Sequence, residues 1–131
     1  MYNRNWGQDR RRFQRLNLNL VVWFKALYPQ QTAAVTEKEA VTLDLSPFGM
    51  AFMCNSNISL YSDLALKFII FSSQDSSYSH LVIPIEVRAR VKTCVPYENG
   101  RYRVGVSFQN IQLETQQKLA RFIRESMRAI V

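Results

Sequence analysis

From residue 16 to residue 28 the even positions Leu16, Leu18, Leu20, Val22, Phe24, Ala26 and Tyr28 are apolar, with Asn17, Asn19 and Lys25 between them. A period of two belongs to a strand, whose successive side chains leave on opposite faces. A second run, 82–95, sets Ile83, Ile85, Val87, Ala89, Val91 and Val95 on one face and Glu86, Arg88, Arg90 and Lys92 on the other. That is the pattern of a strand with one face in a core and one in water. Pro84 predicts an edge or a bulge near its start. In 101–108, Tyr102, Val104, Val106 and Phe108 alternate with Arg101, Arg103, Gly105 and Ser107. Runs over 33–45, 50–54 and 64–71 bring the total to about six strands. Between them lie Pro29-Gln30-Gln31, Ser46-Pro47-Phe48-Gly49, the polar tract 72–80 and the stretch from Pro96 to Gly100, all carrying residues that turns demand.

The spacing changes only at the end. Leu119, Phe122, Ile123, Met127, Ile130 and Val131 recur every three or four residues, with Lys118, Arg121, Arg124, Glu125 and Arg128 on the other face. This predicts an amphipathic helix starting near Glu114, without a clean N-cap. Six short strands and one terminal helix imply a mainly β protein, a six-stranded antiparallel barrel, since closure removes the edges that open strands would expose. At 131 residues the chain is long enough for one core. It divides into a basic arm, 1–15, and a barrel with its C-terminal α-helix, 16–131.

Hydrophobic residues at 47% and charged residues at 21% exclude disorder of the whole chain. The net charge of +7 favours anionic partners. It is unevenly spread: residues 1–15 hold Arg4, Arg10, Arg11, Arg12 and Arg15 against Asp9 alone, whereas 16–85 hold three lysines against five acids. Cys54 and Cys94 stand in no metal-ligand or disulfide spacing, which points to a reducing compartment. With neither a signal-peptide core nor a spanning apolar run, the expectation is a soluble cytoplasmic protein. His80, the single histidine, falls in the polar tract and has no catalytic context. Nucleotide-loop, zinc-protease and serine-nucleophile motifs are all missing. The expectation is therefore a protein that is not an enzyme, with neither metal nor cofactor.

Two clusters carry chemistry. Asp9-Arg10-Arg11-Arg12-Phe13-Gln14-Arg15 precedes the first strand, and Asp44-Leu45-Ser46-Pro47-Phe48-Gly49 ends another. Arginine forks bind phosphate oxygens or the O6 and N7 of guanine, and they stack on bases. Asp44 offers an acceptor pair to the N1–H and N2–H₂ of guanine. Ser46, two residues on, falls on the same side of an extended strand. Gly49 permits a positive φ at the turn and close approach of a ligand. Each piece also has a plainer explanation: a solvated tail, a serine turn, a turn glycine.

Together, RxxxR from Arg11 to Arg15 and DxSxxG from Asp44 to Gly49 resemble the motifs of the PilZ domain family, bacterial receptor modules for cyclic di-GMP. The strand Gly100-Arg101-Tyr102-Arg103-Val104-Gly105-Val106-Ser107-Phe108 is similar to a late strand of that family. The resemblance implies a PilZ-type barrel on which Arg11 and Arg15 grip phosphates and guanine while Asp44, Ser46 and Gly49 hold the other side. It further implies an arm that orders on the ligand and signals to a downstream protein partner. Arg10 matches a position where arginine is associated with cyclic di-GMP bound as an intercalated dimer. Two other readings fit a small basic barrel: binding of single-stranded nucleic acid, with Trp6, Phe13 or Trp23 as stacking platforms, and a PilZ-like protein-interaction scaffold.

Overall fold

The computed structural model describes residues 15–27, 37–73 and 80–130. Six strands, β1 (Val21–Ala26), β2 (Lys38–Ser46), β3 (Gly49–Cys54), β4 (Asp63–Ser73), β5 (His80–Pro96) and β6 (Tyr102–Gln109), are followed by one helix, α1 (Leu113–Ile130). They close into an antiparallel barrel in the order β1-β2-β3-β6-β5-β4, as the strand pattern predicts. The inward residues meet on its axis, where Phe24 and Phe52 pack with ring centroids 5.1 Å apart, within the favourable range for aromatic pairs. Leu119, Phe122 and Ile123 carry the apolar stripe of α1 into the same core. Glu114 in its first turn and Arg128 in its last suit the helix dipole.

Two β-bulges set what faces outward. Opposite β3, the register of β2 shifts between Thr42 and Asp44. Ala40 and Thr42 point inward, but beyond the bulge Leu45 is the buried residue. An extra residue exchanges the two faces of a strand, so Asp44 leaves the barrel instead of entering it. The same happens in β5 between Val91 and Thr93. There the expected alternation fails: Cys94 packs against the core and Val95, expected inside, is exposed.

Other boundaries differ from the sequence expectation. The run 16–28 is continuous in pattern, yet only Val21–Ala26 forms a strand, and Ala26 is exposed. Upstream, Leu16 makes an isolated bridge with Leu45. The polar tract expected as a turn is partly strand, since Ser72 pairs with Leu81 and Ser73 with His80. Serine backbones serve a ladder as well as apolar ones do. Pro84 lies in the part of β5 that is paired with β4 but precedes the first β6 partner at Arg88, an edge position that tolerates a missing N–H. At the β5–β6 turn, Asn99 (φ 55°) and Gly100 (φ 73°) both take the left-handed region, which these residue types accept most readily.

Candidate functional site

Leu16 is where the N-terminal segment joins the barrel. Its N–H donates to the Leu45 carbonyl at 2.9 Å, and the Leu45 N–H donates back at 3.0 Å. Thr42, wholly buried, adds a second anchor: its hydroxyl accepts from the Leu20 N–H at 2.7 Å and donates to the Leu18 carbonyl at 2.5 Å. These contacts place exposed Arg15 directly beside the stretch that carries Asp44 and Ser46.

That stretch ends in a two-residue turn, with Ser46 paired to Gly49 across Pro47 and Phe48. Proline supplies the fixed φ that such a turn uses. The Ser46 hydroxyl accepts from the Phe48 N–H at 3.2 Å and donates to the Gly49 carbonyl at 3.3 Å, so it closes the turn. Gly49 is needed for a different reason from the one its turn position suggests. Its φ is not in the left-handed region; instead a Cβ there would collide with the Val106 carbonyl oxygen of β6. The glycine lets β3 and β6 approach.

Arg15, Asp44, Ser46 and Gly49 line one cleft of about 390 Å³ on the outer face of the barrel. This volume lies within the usual range of ligand sites. Ala51 pairs with Gly105, so small residues floor the cleft. Gly105 also leaves room for Thr93, whose hydroxyl a Cβ would meet at 2.5 Å. Lys92 and Thr93, turned outward at the β5 bulge, form one wall. Arg103 reaches from β6 across β3 to Asp44, with Nη2 3.1 Å from Oδ2. The Asp44 side chain retains 17% of its exposure, so this pair is partly withdrawn from water.

Arg10 and Arg11 lie outside the described residues, as does the rest of the arm before Arg15. Lys92, Thr93, Arg103 and Gly105 also line the cleft, and the sequence motifs do not flag them. Arg103 was visible as an outward cation of an alternating strand, but its meeting with Asp44 depends on β3 lying between strands distant in sequence. A broader hollow along the solvent face of α1 holds none of the candidate residues. Its charges pair along the helix, Lys118 with Glu114 at 3.6 Å and Arg121 with Glu125 at 3.3 Å, and exposed pairs of that kind contribute little. Among the described residues no cluster of potential metal ligands forms. Cys54 and Cys94 are free thiols, and burial pushes the Cys54 thiol above its ordinary pKa. Among the described residues no helix is long and apolar enough to cross a membrane.

The chain is thus a closed barrel with a small-floored, cation-rich cleft on its outside. The PilZ domain profile matches residues 9–125, and the chain belongs to the PilZ domain family, whose domains are ligand-binding receptor modules. The fold is similar to that of the Bacillus subtilis inhibitor of motility MotI/DgrA (TM-score 0.64, 17% identity, 92% of this chain and 52% of that one). It is also similar to the PilZ domain of YcgR from Escherichia coli, solved with c-di-GMP (TM-score 0.61, 14% identity, 92% and 94%). A third similar structure is the MrkH–c-di-GMP complex of K. pneumoniae (TM-score 0.61, 14% identity, 92% and 53%). The chain thus spans about half the length of the MotI and MrkH chains. No curated protein matches it in sequence.

Proposed function

We propose that the protein is a non-enzymatic receptor for cyclic di-GMP, which it holds in the cleft between β2, β3, β6 and the β5 bulge. The observation that carries this reading is the convergence of Arg15 with Asp44, Ser46 and Gly49, two separate parts of the chain, on one small-floored cleft. Three cations, Arg15, Lys92 and Arg103, stand around a single carboxylate there. That balance suits a ligand with two phosphate charges and two guanines, because the guanidinium forks take phosphate or guanine acceptors and the carboxylate takes guanine donors.

In this reading Arg10 and Arg11 add to the grip from an arm, residues 1–15, that orders over the ligand and alters the surface offered to a downstream protein partner. Arg10 supplies the extra charge for cyclic di-GMP bound as an intercalated dimer, in which four phosphate charges crowd one site. The setting is the cytoplasm. Calorimetric titration with cyclic di-GMP, linear pGpG, GMP and a single-stranded oligonucleotide tests the reading. Selective binding of cyclic di-GMP, together with slowed amide exchange in residues 1–15, is the expected result. Preference for the oligonucleotide would replace it with the nucleic-acid reading, and binding to none of the four would leave a protein-interaction scaffold.

A further inference from the structure

The Arg103–Asp44 pair has an ordinary explanation as an ion pair on the outside of a sheet. Two comparable pairs occur among the described residues, Arg90 with Asp63 at 3.0 Å and Lys67 with Glu37 at 3.1 Å. What sets Arg103–Asp44 apart is its place. It stands in a cleft floored by Gly49, Ala51 and Gly105, whose rim also carries Arg15 and Lys92. Its contact is a single one, Nη2 to Oδ2, as is that of Arg90 with Asp63, so the second carboxylate oxygen is left out of the pair. The carboxylate keeps lone pairs to accept further hydrogen bonds, and the guanidinium keeps donors.

We infer that Arg103 and Asp44 act together as the reader of a guanine base, with Arg103 as the determinant of guanine over adenine. The inference rests on the proposed cyclic di-GMP reading of the cleft. The Watson–Crick edge of guanine presents, in order, an acceptor (O6), a donor (N1–H) and a donor (N2–H₂). A guanidinium beside a carboxylate presents the complement, donor then acceptors. Asp44 accepts from N1–H and N2–H₂ while Arg103, still held by Asp44, donates to O6. Adenine reverses the first two positions, offering an amino donor and a bare N1. It would set donor against guanidinium and acceptor against carboxylate, and unmatched polar groups are what make hydrogen-bonding sites selective. Neither motif assigns Arg103, because it comes from β6 by way of a strand pairing that no local spacing reveals.

The test compares wild type, Arg103→Met and Arg103→Lys for binding of cyclic di-GMP and cyclic di-AMP, with thermal unfolding of each protein alongside. The pair is only partly withdrawn from water, so both variants should stay folded and melt only modestly below wild type. Arg103→Met should lose tenfold or more in cyclic di-GMP affinity and lose most of the preference over cyclic di-AMP. Arg103→Lys, which keeps the charge and one donor, should recover part of both. Arg103→Met in an Asp44→Asn background should cost less than it does alone, because the two residues serve one base. Wild-type affinity and selectivity in Arg103→Met would overturn the role of Arg103 and leave the cyclic di-GMP reading standing. A change in melting without a change in selectivity would show a structural pair only. A wild-type protein that binds no cyclic di-GMP would overturn the underlying reading itself.

Discussion

Replacing Thr42 by valine preserves the shape of a wholly buried side chain and removes one oxygen. That oxygen accepts the Leu20 N–H at 2.7 Å and donates to the Leu18 carbonyl at 2.5 Å, and a methyl group can do neither. Each such bond is worth about 1 kcal/mol net, and an enclosed amide left unpaired costs ~1–3 kcal/mol. Leu18 and Leu20 are only partly enclosed, so water recovers some of the loss. The bond from the Thr42 N–H to the Leu20 carbonyl, 2.8 Å, survives. The expected net cost is about 2 kcal/mol, or roughly 6–10 °C in midpoint for a domain of this size. Urea unfolding at 25 °C measures it, with Thr42→Ser as the control. Serine keeps the hydroxyl and forfeits one methyl, about 1 kcal/mol, and should fall between valine and wild type. Because residues 16–20 hold Arg15 against the cleft, the valine variant should also bind cyclic di-GMP more weakly. A valine variant within about 0.5 kcal/mol of wild type, or one more stable than the serine variant, would refute the anchoring role of Thr42.

Gly49→Ala forces β3 away from the Val106 carbonyl and should cost about 1–3 kcal/mol by urea unfolding; wild-type stability would mean that β3 and β6 yield without strain. Calorimetry should count two cyclic di-GMP molecules per chain, falling toward one in Arg10→Leu with the fold intact; a ratio of one in wild type would deny Arg10 that role. Burial raises the Cys54 pKa, so less thiolate is present at neutral pH. Its alkylation, followed by mass spectrometry at pH 7–8, should be slower than that of a free model thiol and quicken only above the usual thiol range.

The alternation of apolar and polar residues placed all six strands, because half-buried strands write their facing into every second position. It could not place the bulges. One inserted residue in β2 and one in β5 exchange inside for outside, and neither Leu43 nor Lys92 differs chemically from its neighbours in a way that announces it. Strict alternation therefore puts Val95 on the wrong face; in β2 it turns Asp44 outward, as found, but it turns Thr42 outward too, and the bulge buries Thr42. Sequence alone makes Gly49 a turn glycine that frees φ, whereas its constraint is a carbonyl on β6, more than fifty residues away. Separation of forty residues or more likewise hides Arg103 and Lys92. Local spacing reports what a residue does to its own strand, while the cleft is made by strand neighbours that only barrel closure brings together. Arg15, Asp44 and Ser46 were legible because each belongs to a short motif whose residues are neighbours in sequence.

The central claim is that this cleft binds cyclic di-GMP through Arg15 and Asp44. Calorimetric titration of wild type, Arg15→Ala and Asp44→Ala with cyclic di-GMP tests it most directly, with Arg4→Ala as a control outside the motif. Wild type and Arg4→Ala should bind alike, and each of the other two should lose roughly 2 kcal/mol or more, about a thirtyfold weakening, as removal of one partner of a charged hydrogen bond does. Equal affinity in all four proteins, with the variants folded, would contradict the claim.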